Sequence, residues 1–215
     1  QKMNKIVVEG NQIVAQAGAT MAQVARAAWE NGLTGLEFAS GIPGTIGGGV
    51  VMNAGAYGGE LCQVVTMGKG VSKDGEILEL DNETMEFGYR TSTIRNNGFT
   101  AIEVTFRLEA GDKDAIKAKM DDLASRRREK QPLEYPSAGS TFKRPEGHFA
   151  GQLIMEAGLR GFQIGGAKVS DKHCGFVINA GGATAKDARA VIAEVQNQVK
   201  NKFNVDLETE VIYLG

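Results

Sequence analysis

Two short β-branched runs, Ile6-Val7-Val8 and Ile13-Val14-Ala15, flank Gly10-Asn11, and a two-residue pair of that kind closes a hairpin. Thr20 then stands before an apolar set at Met21, Val24 and Ala28 with Trp29 adjacent, and Asn31-Gly32 follows. A capping hydroxyl in front and a glycine stop behind predict a helix between them. Val64 to Val71 and Ile77 to Leu80 face each other across Lys73-Asp74-Gly75, which predicts a second hairpin, and Thr100 to Leu108 reads as a further strand. The first half is mostly β with one clear helix.

Past Gly111 the period changes. Asp112 to Arg128 sets Ile116, Met120, Leu123 and Ala124 on one face of an amphipathic helix. A loop with Pro132 and Pro136 comes next, then a short helix around Gln152 to Ala157, a strand from Gly175 to Asn179, and a helix from Ala185 to Lys202 headed by Thr184 and Asp187 in capping-box spacing. The chain ends in a predicted strand, Glu208 to Leu214. The fold class expected is α+β in two domains, with the boundary between Arg128 and Pro136; no internal repeat or low-complexity tract interrupts it.

Composition narrows the partners. Lys+Arg 24 against Asp+Glu 26 leaves a net charge of -2, which provides no global pull toward nucleic acid or anionic lipid. Cys62 and Cys174 lie too far apart in sequence for a paired-ligand motif, which fits a reducing, cytoplasmic setting. No apolar run reaches the roughly 20 residues of a membrane helix. Glycine is the outlier: 29 residues in 215, about 13% against a usual 7% or so.

Eight of those glycines fall between Ser40 and Gly59. Such density lets backbone amides approach a ligand with no Cβ in the way, or point inward as an anion-binding nest suited to phosphate; it also suits a series of tight turns. Neither standard nucleotide fingerprint is present, so the sequence supports neither a Rossmann nor a P-loop assignment. Four polar positions could carry chemistry. Arg90 follows Phe87-Gly88-Tyr89, and its planar guanidinium suits a carboxylate or phosphate, although a surface arginine reads the same way. Ser140 sits in a small-residue turn beside Lys143, Glu210 interrupts the apolar alternation of the terminal strand, and His173 stands in Asp171-Lys172-His173-Cys174-Gly175. Each has an ordinary structural reading as well.

Six ordered motifs carry a resemblance over the whole chain: Ser40-Gly-Ile-Pro-Gly-Thr-Ile-Gly-Gly, Met52-Asn-Ala-Gly-Ala-Tyr-Gly, Tyr89-Arg90, Ala138-Gly-Ser-Thr-Phe-Lys143, Gly165-Gly-Ala-Lys-Val169 and Leu207-Glu-Thr-Glu-Val211. Together they resemble the UDP-N-acetylenolpyruvoylglucosamine reductases, flavoenzymes of bacterial peptidoglycan precursor synthesis, in the shorter form without an inserted tyrosine loop. The resemblance implies a PCMH/VAO-type FAD-binding fold over 1–131, a smaller substrate-binding domain over 132–204, and a terminal strand over 205–215 that returns to the active site. It implies FAD as cofactor, NADPH as reductant, a UDP-sugar substrate, a cytoplasmic monomer, and no nucleic-acid or membrane partner.

Residue by residue, the resemblance assigns Arg90 and Glu210 to an enolate-like intermediate and Ser140 to proton delivery. It assigns Ser40, Gly41, Ile42, Gly44, Thr45, Gly47, Gly48, Asn53, Gly55, Ala56, Tyr89 and Arg127 to the flavin side. Lys130, Arg160 and His173 match substrate-contacting positions, His173 where some members carry glutamine, and Arg144 falls where some carry asparagine. The family's preceding glycine-serine-asparagine segment has no counterpart before Gln1, so a truncated chain is expected. Two other readings compete: a cofactor-free UDP-sugar binding fragment, and another oxidoreductase on the same flavin fold.

Overall fold

A computed structural model describes residues 2–214. The chain divides into two compact units, Gln1–Arg127 and Arg128–Gly215, a few residues ahead of the division expected at 131/132.

The first unit opens with the expected hairpin, β1 (Ile6–Glu9) and β2 (Gln12–Gln16), and the expected helix α1 (Met21–Glu30). Thr20 caps α1 as half of a capping box completed by Gln23, so two of its unpaired amide donors are satisfied reciprocally. After β3 (Leu33–Thr34) and a 3-10 turn, Glu37–Gly41, the glycine-rich segment holds a helix that the pattern does not reveal, α2 (Ile46–Val51), and a tight hairpin of β4 (Gly55–Ala56) and β5 (Gly59–Glu60). The remainder is β6 (Val65–Val71), β7 (Ile77–Asp81), α3 (Thr93–Asn96), β8 (Thr100–Arg107), β9 (Glu109–Ala110) and α4 (Lys113–Lys130), inside which the division between units falls.

Five strands form one antiparallel sheet in the order β1-β2-β8-β6-β7. Alternation works as a period of two requires: Ile13 and Ala15 of β2 lie opposite Phe106 and Val104 of β8, and all four are buried. The core beneath them adds Met21, Val24, Leu36, Ile46, Val50 and Leu61. Truncating Phe106 to alanine there costs about 3–5 kcal/mol. Helix α4 turns the expected face inward, with Ile116 buried, Met120 half-buried against the first core, and Leu123 and Ala124 half-buried.

The second unit contains β10 (Ser137–Ser140), α5 (Ala150–Glu156), β11 (Gln163–Ile164), β12 (Ala167–Val169), β13 (Phe176–Asn179) and α6 (Ala185–Phe203). Its four-stranded sheet runs β10-β13-β12-β11, and Val169 of β12 and Ile154 of α5 share a core with Val191, Val195 and Val199 of α6. Thr184 and Asp187 form the capping box expected of α6. Ser137 to Ser140 is a bulged edge strand rather than a turn, with Gly139 at φ +83 supplying the irregularity.

The expected terminal strand is not formed. Residues 204–208 and 211–214 have no regular structure, and among the described residues the segment pairs only at an isolated bridge, Thr209 with Phe142. The edge beside it, β10, is bulged, so apolar alternation meets no regular ladder there; Leu207 is buried in the second core while Leu214 is 90% exposed. The segment does return beside β10, where Lys143 N donates to Glu208 O at 2.8 Å and Glu210 N to Thr141 O at 2.9 Å.

Candidate functional site

Within the first unit the glycines of α2 fall into two kinds. A Cβ on Gly47 would stand 2.8 Å from Ala17 Cβ, and one on Gly49 would stand 2.9 Å from Met21 Sδ. Those two are glycine because the core leaves no room. Gly48 faces only Thr45 Oγ1 at 3.8 Å, and Gly44, at φ +119, has nothing within 4 Å. Gly44 and Gly48 are therefore open, with the half-buried Thr45 between them.

The nest reading fails for this helix, because its leading donors are already engaged. Ile46 N binds Ala19 O, Gly47 N binds Ala17 O at 2.9 Å, and Gly48 N reaches the Thr45 side chain. The segment offers a face without side chains rather than a ring of free amides, and Gly47 is a packing residue with its N–H engaged.

The neighbouring candidates gather around that segment. Ser40 Oγ donates to Glu37 O at 2.8 Å, and Ile42 packs against the core. Arg127 lies over Gly41, its Nε 3.1 Å from where a Cβ would be. Ala56 pairs with Gly59 in the β4–β5 hairpin. Asn53, 2% exposed, accepts from Cys62 N and donates to Glu60 Oε2 and Gly88 O, so its side chain ties backbone segments together. Gly88 and Thr91 exchange backbone bonds across Tyr89-Arg90. Arg90 sits at φ +56, its Nη2 donates to Gly55 O at 3.3 Å, and its guanidinium lies 5.0 Å from the centre of the half-exposed Tyr89 ring.

Two buried polar residues of this unit escaped the sequence reading. Glu37, 3% exposed, accepts from Thr34 Oγ1 at 2.5 Å and from Gly35 N, with Lys119 Nζ at 3.6 Å. Burial alone pushes its carboxyl up, but the Thr34, Gly35 and Lys119 donors outweigh that, and the net shift is below the usual range. With Lys119 and Arg107 it lines a cavity of about 500 Å³. Ser92, wholly buried, donates to Val51 O at 2.9 Å. Its only signal in sequence is a serine two positions after Arg90.

The second unit builds its own cluster. Ser140 is exposed at the end of β10, in register with Phe176, and next to it Thr141 accepts from Val177 N through Oγ1 and from Glu210 N through its carbonyl. Ser140 and the half-buried Glu210 therefore stand on adjoining backbone segments. Beside them, Ser137, Ala138, Thr141, Val177, Val211 and Tyr213 line part of a cavity of about 430 Å³.

His173 meets Phe176 edge-to-face at 5.1 Å and accepts from Gly175 N through Nδ1, so its neutral form carries the proton on Nε2. Burial lowers its pKa. Arg160 donates to Asp171 O and to Met155 Sδ, bracing the loop that presents His173. Lys130 is exposed at the end of α4, and Arg144 lies over the Phe149 ring at 4.1 Å. Arg90 and Arg127 belong to the first unit, and Ser140, Glu210, His173, Arg160 and Lys130 to the second.

Comparison with known proteins matches both units. Residues 1–81 fit the family model described as an FAD binding domain, and residues 131–214 fit that of the UDP-N-acetylenolpyruvoylglucosamine reductase C-terminal domain. The reductase of Clostridium perfringens is 57% identical over 214 residues, all of this chain and 70% of that protein. The chain belongs to the UDP-N-acetylenolpyruvoylglucosamine reductase family. The Pediococcus pentosaceus reductase is 55% identical over the same length, 71% of its own. The crystal structure of the Thermus caldophilus reductase superposes with a TM-score of 0.80 at 34% identity, covering 93% of this chain and 72% of that one. Membership of this reductase family makes the chain an oxidoreductase with an FAD-binding α+β fold followed by the family's C-terminal domain. Among the described residues no helix is long and apolar enough to cross a membrane.

Proposed function

We propose that the protein reduces UDP-N-acetylenolpyruvoylglucosamine to UDP-N-acetylmuramate with NADPH and FAD, a step of bacterial cell-wall precursor synthesis. Bound FAD supplies the hydride acceptor and donor. The residues present fit a flavin: Gly44 and Gly48 leave a face without Cβ atoms, Tyr89 exposes an aromatic ring, and Arg127 brings a permanent cation over Gly41. Ser40, Thr45, Gly55 and Ala56 complete that side.

Hydride addition to the terminal carbon of the enolpyruvyl group leaves carbanion character next to a carboxylate. Such a charge is stabilised by fixed positive charge and preorganised donors, and the reaction finishes when the neighbouring carbon receives a proton. Arg90 supplies the charge, Glu210 is the second group assigned to the enolate, and Ser140 Oγ delivers the proton. A serine hydroxyl is a weak acid in water, so placement has to do what acidity does not. Lys130, Arg160 and His173 hold the sugar nucleotide. A cytoplasmic setting, where NADPH and nucleotide sugars are available, and a monomeric state belong to the same reading.

The observation that carries this proposal is the adjacency of Ser140 and Glu210 through the Thr141 carbonyl. Stopped-flow absorbance at the flavin bands tests it. NADPH bleaches the flavin, and the enolpyruvyl sugar nucleotide restores the colour. Bleaching by NADPH with no reoxidation by the sugar nucleotide under anaerobic conditions overturns it.

A further inference from the structure

We propose that Ser92 is a positioning residue for Arg90: its buried hydroxyl, anchored on the last carbonyl of α2, pins the Tyr89–Arg90 turn against the glycine segment and so sets where the guanidinium sits. The inference rests on the role given to Arg90 above.

The turn itself is the starting point. Gly88 and Thr91 close a two-residue loop with backbone bonds of 3.1 and 3.4 Å, and of its two central residues only Arg90 is left-handed, at φ +56. Glycine or asparagine suits that corner, because an L side chain crowds its own carbonyl there. An arginine stays in such a conformation only when its surroundings over-determine it. Asn53 Nδ2 donates to Gly88 O at 3.2 Å on one side of the turn, and Arg95 Nη1 donates to Arg90 O at 2.8 Å. On the other side Ser92 Oγ donates to Val51 O at 2.9 Å, across 41 positions of sequence.

Val51 is the last residue of α2, so its carbonyl has no partner within the helix and needs an outside donor. The Ser92 hydroxyl meets that need with no exposure to water. One bond thus satisfies a helix end and clamps the strand of chain carrying Arg90 to the segment whose Gly55 carbonyl the guanidinium meets. Without the clamp the turn is free to leave the left-handed region, and Arg90 departs from the position in which it stabilises charge.

Two cycles of variants test this. In steady-state turnover Ser92→Ala lowers kcat about 10-fold or more with KM for the sugar nucleotide little changed, and in an Arg90→Ala background it causes no further loss. Independent, multiplying losses overturn the proposal. The second cycle reads melting temperature, without turnover. Arg90→Gly and Arg90→Ala both remove the side chain, so their difference reports the strain at position 90. With Ser92 present the glycine variant melts about 2–4 °C above the alanine variant, and in Ser92→Ala the gap closes. An equal gap in both backgrounds overturns the proposal. Should Ser92→Ala not fold, Ser92→Cys keeps the volume, weakens the donor and carries the same comparisons. Wild-type protein that never reoxidises its flavin with the sugar nucleotide counts against the proposed function, and the melting cycle then decides Ser92 alone.

Discussion

The glycine segment of the first unit and the Ser140–Glu210 region of the second carry candidate chemistry in opposite ways. In the first, the side chains are absent by design of the packing: Gly47 and Gly49 are pressed against Ala17 and Met21, and the turn bearing Arg90 is tied down by Asn53 and Ser92. In the second, Ser140 is exposed on a bulged edge strand, and Glu210 hangs on a segment joined to it by a few backbone bonds. A site made from backbone fails by losing its fold, whereas one made from exposed side chains fails by losing its chemistry.

The largest test of that contrast is Ser140→Ala. Loss of a positioned proton donor lowers the rate of flavin reoxidation by the sugar nucleotide about 10²–10⁴-fold while reduction by NADPH and the melting temperature stay as in wild type. A fall in both half-reactions would remove the distinction. Gly47→Ala comes next, and it acts on the fold: a Cβ 2.8 Å from that of Ala17 costs about 1–3 kcal/mol in denaturant unfolding. Gly48→Ala, one position away on the open face, is expected to stay within about 0.5 kcal/mol of wild type or to gain from better helix propensity, while weakening flavin binding in a fluorescence titration. Equal destabilisation by the two would mean that the division between packed and open glycines is wrong.

Smaller effects separate the units by pH. The Glu37 carboxyl is held below its usual range, so its contribution is complete above the unfolded value near 4.5 and is lost as pH falls through the folded one. Burial lowers the His173 pKa, so its contribution is present above the unfolded value near 6.5 and is lost as pH falls below it toward the folded value. Both losses lie on the acid side: His173→Phe should flatten the part of a stability-against-pH curve just below about 6.5, and Glu37→Gln the part below about 4.5. If either variant changes the other's pH range instead, the assignment of those groups is refuted.

Legibility followed the same divide. The hairpin around Gly10-Asn11, α1 behind Thr20, the second hairpin and α6 were all readable, because each is specified by local period and capping. Helix α2 was not, since three glycines in six residues depress its propensity and only the neighbours Ala17, Met21 and Leu61 make it the right answer. The terminal strand was over-read for the complementary reason: Leu207, Val211 and Tyr213 alternate, but the edge beside them, β10, is bulged and bridges the segment at Thr209. Glu37 and Ser92 went unnoticed because a lone acid or serine has no period, and burial gives them their importance.

Residue order alone was enough for the locally specified elements, the two-part organisation and, through six ordered motifs, the family, since local bonding and side-chain period are properties of neighbours in the chain. Which glycines are packed and which are open, that Asn53 is a tie between backbones, that Arg90 is held left-handed, and that Glu210 stands beside Ser140 without a strand to carry it were settled by contacts between residues far apart in the sequence, from Gly49 with Met21 to Glu210 with Thr141. Such contacts depend on space left by other residues, and no local pattern encodes that space.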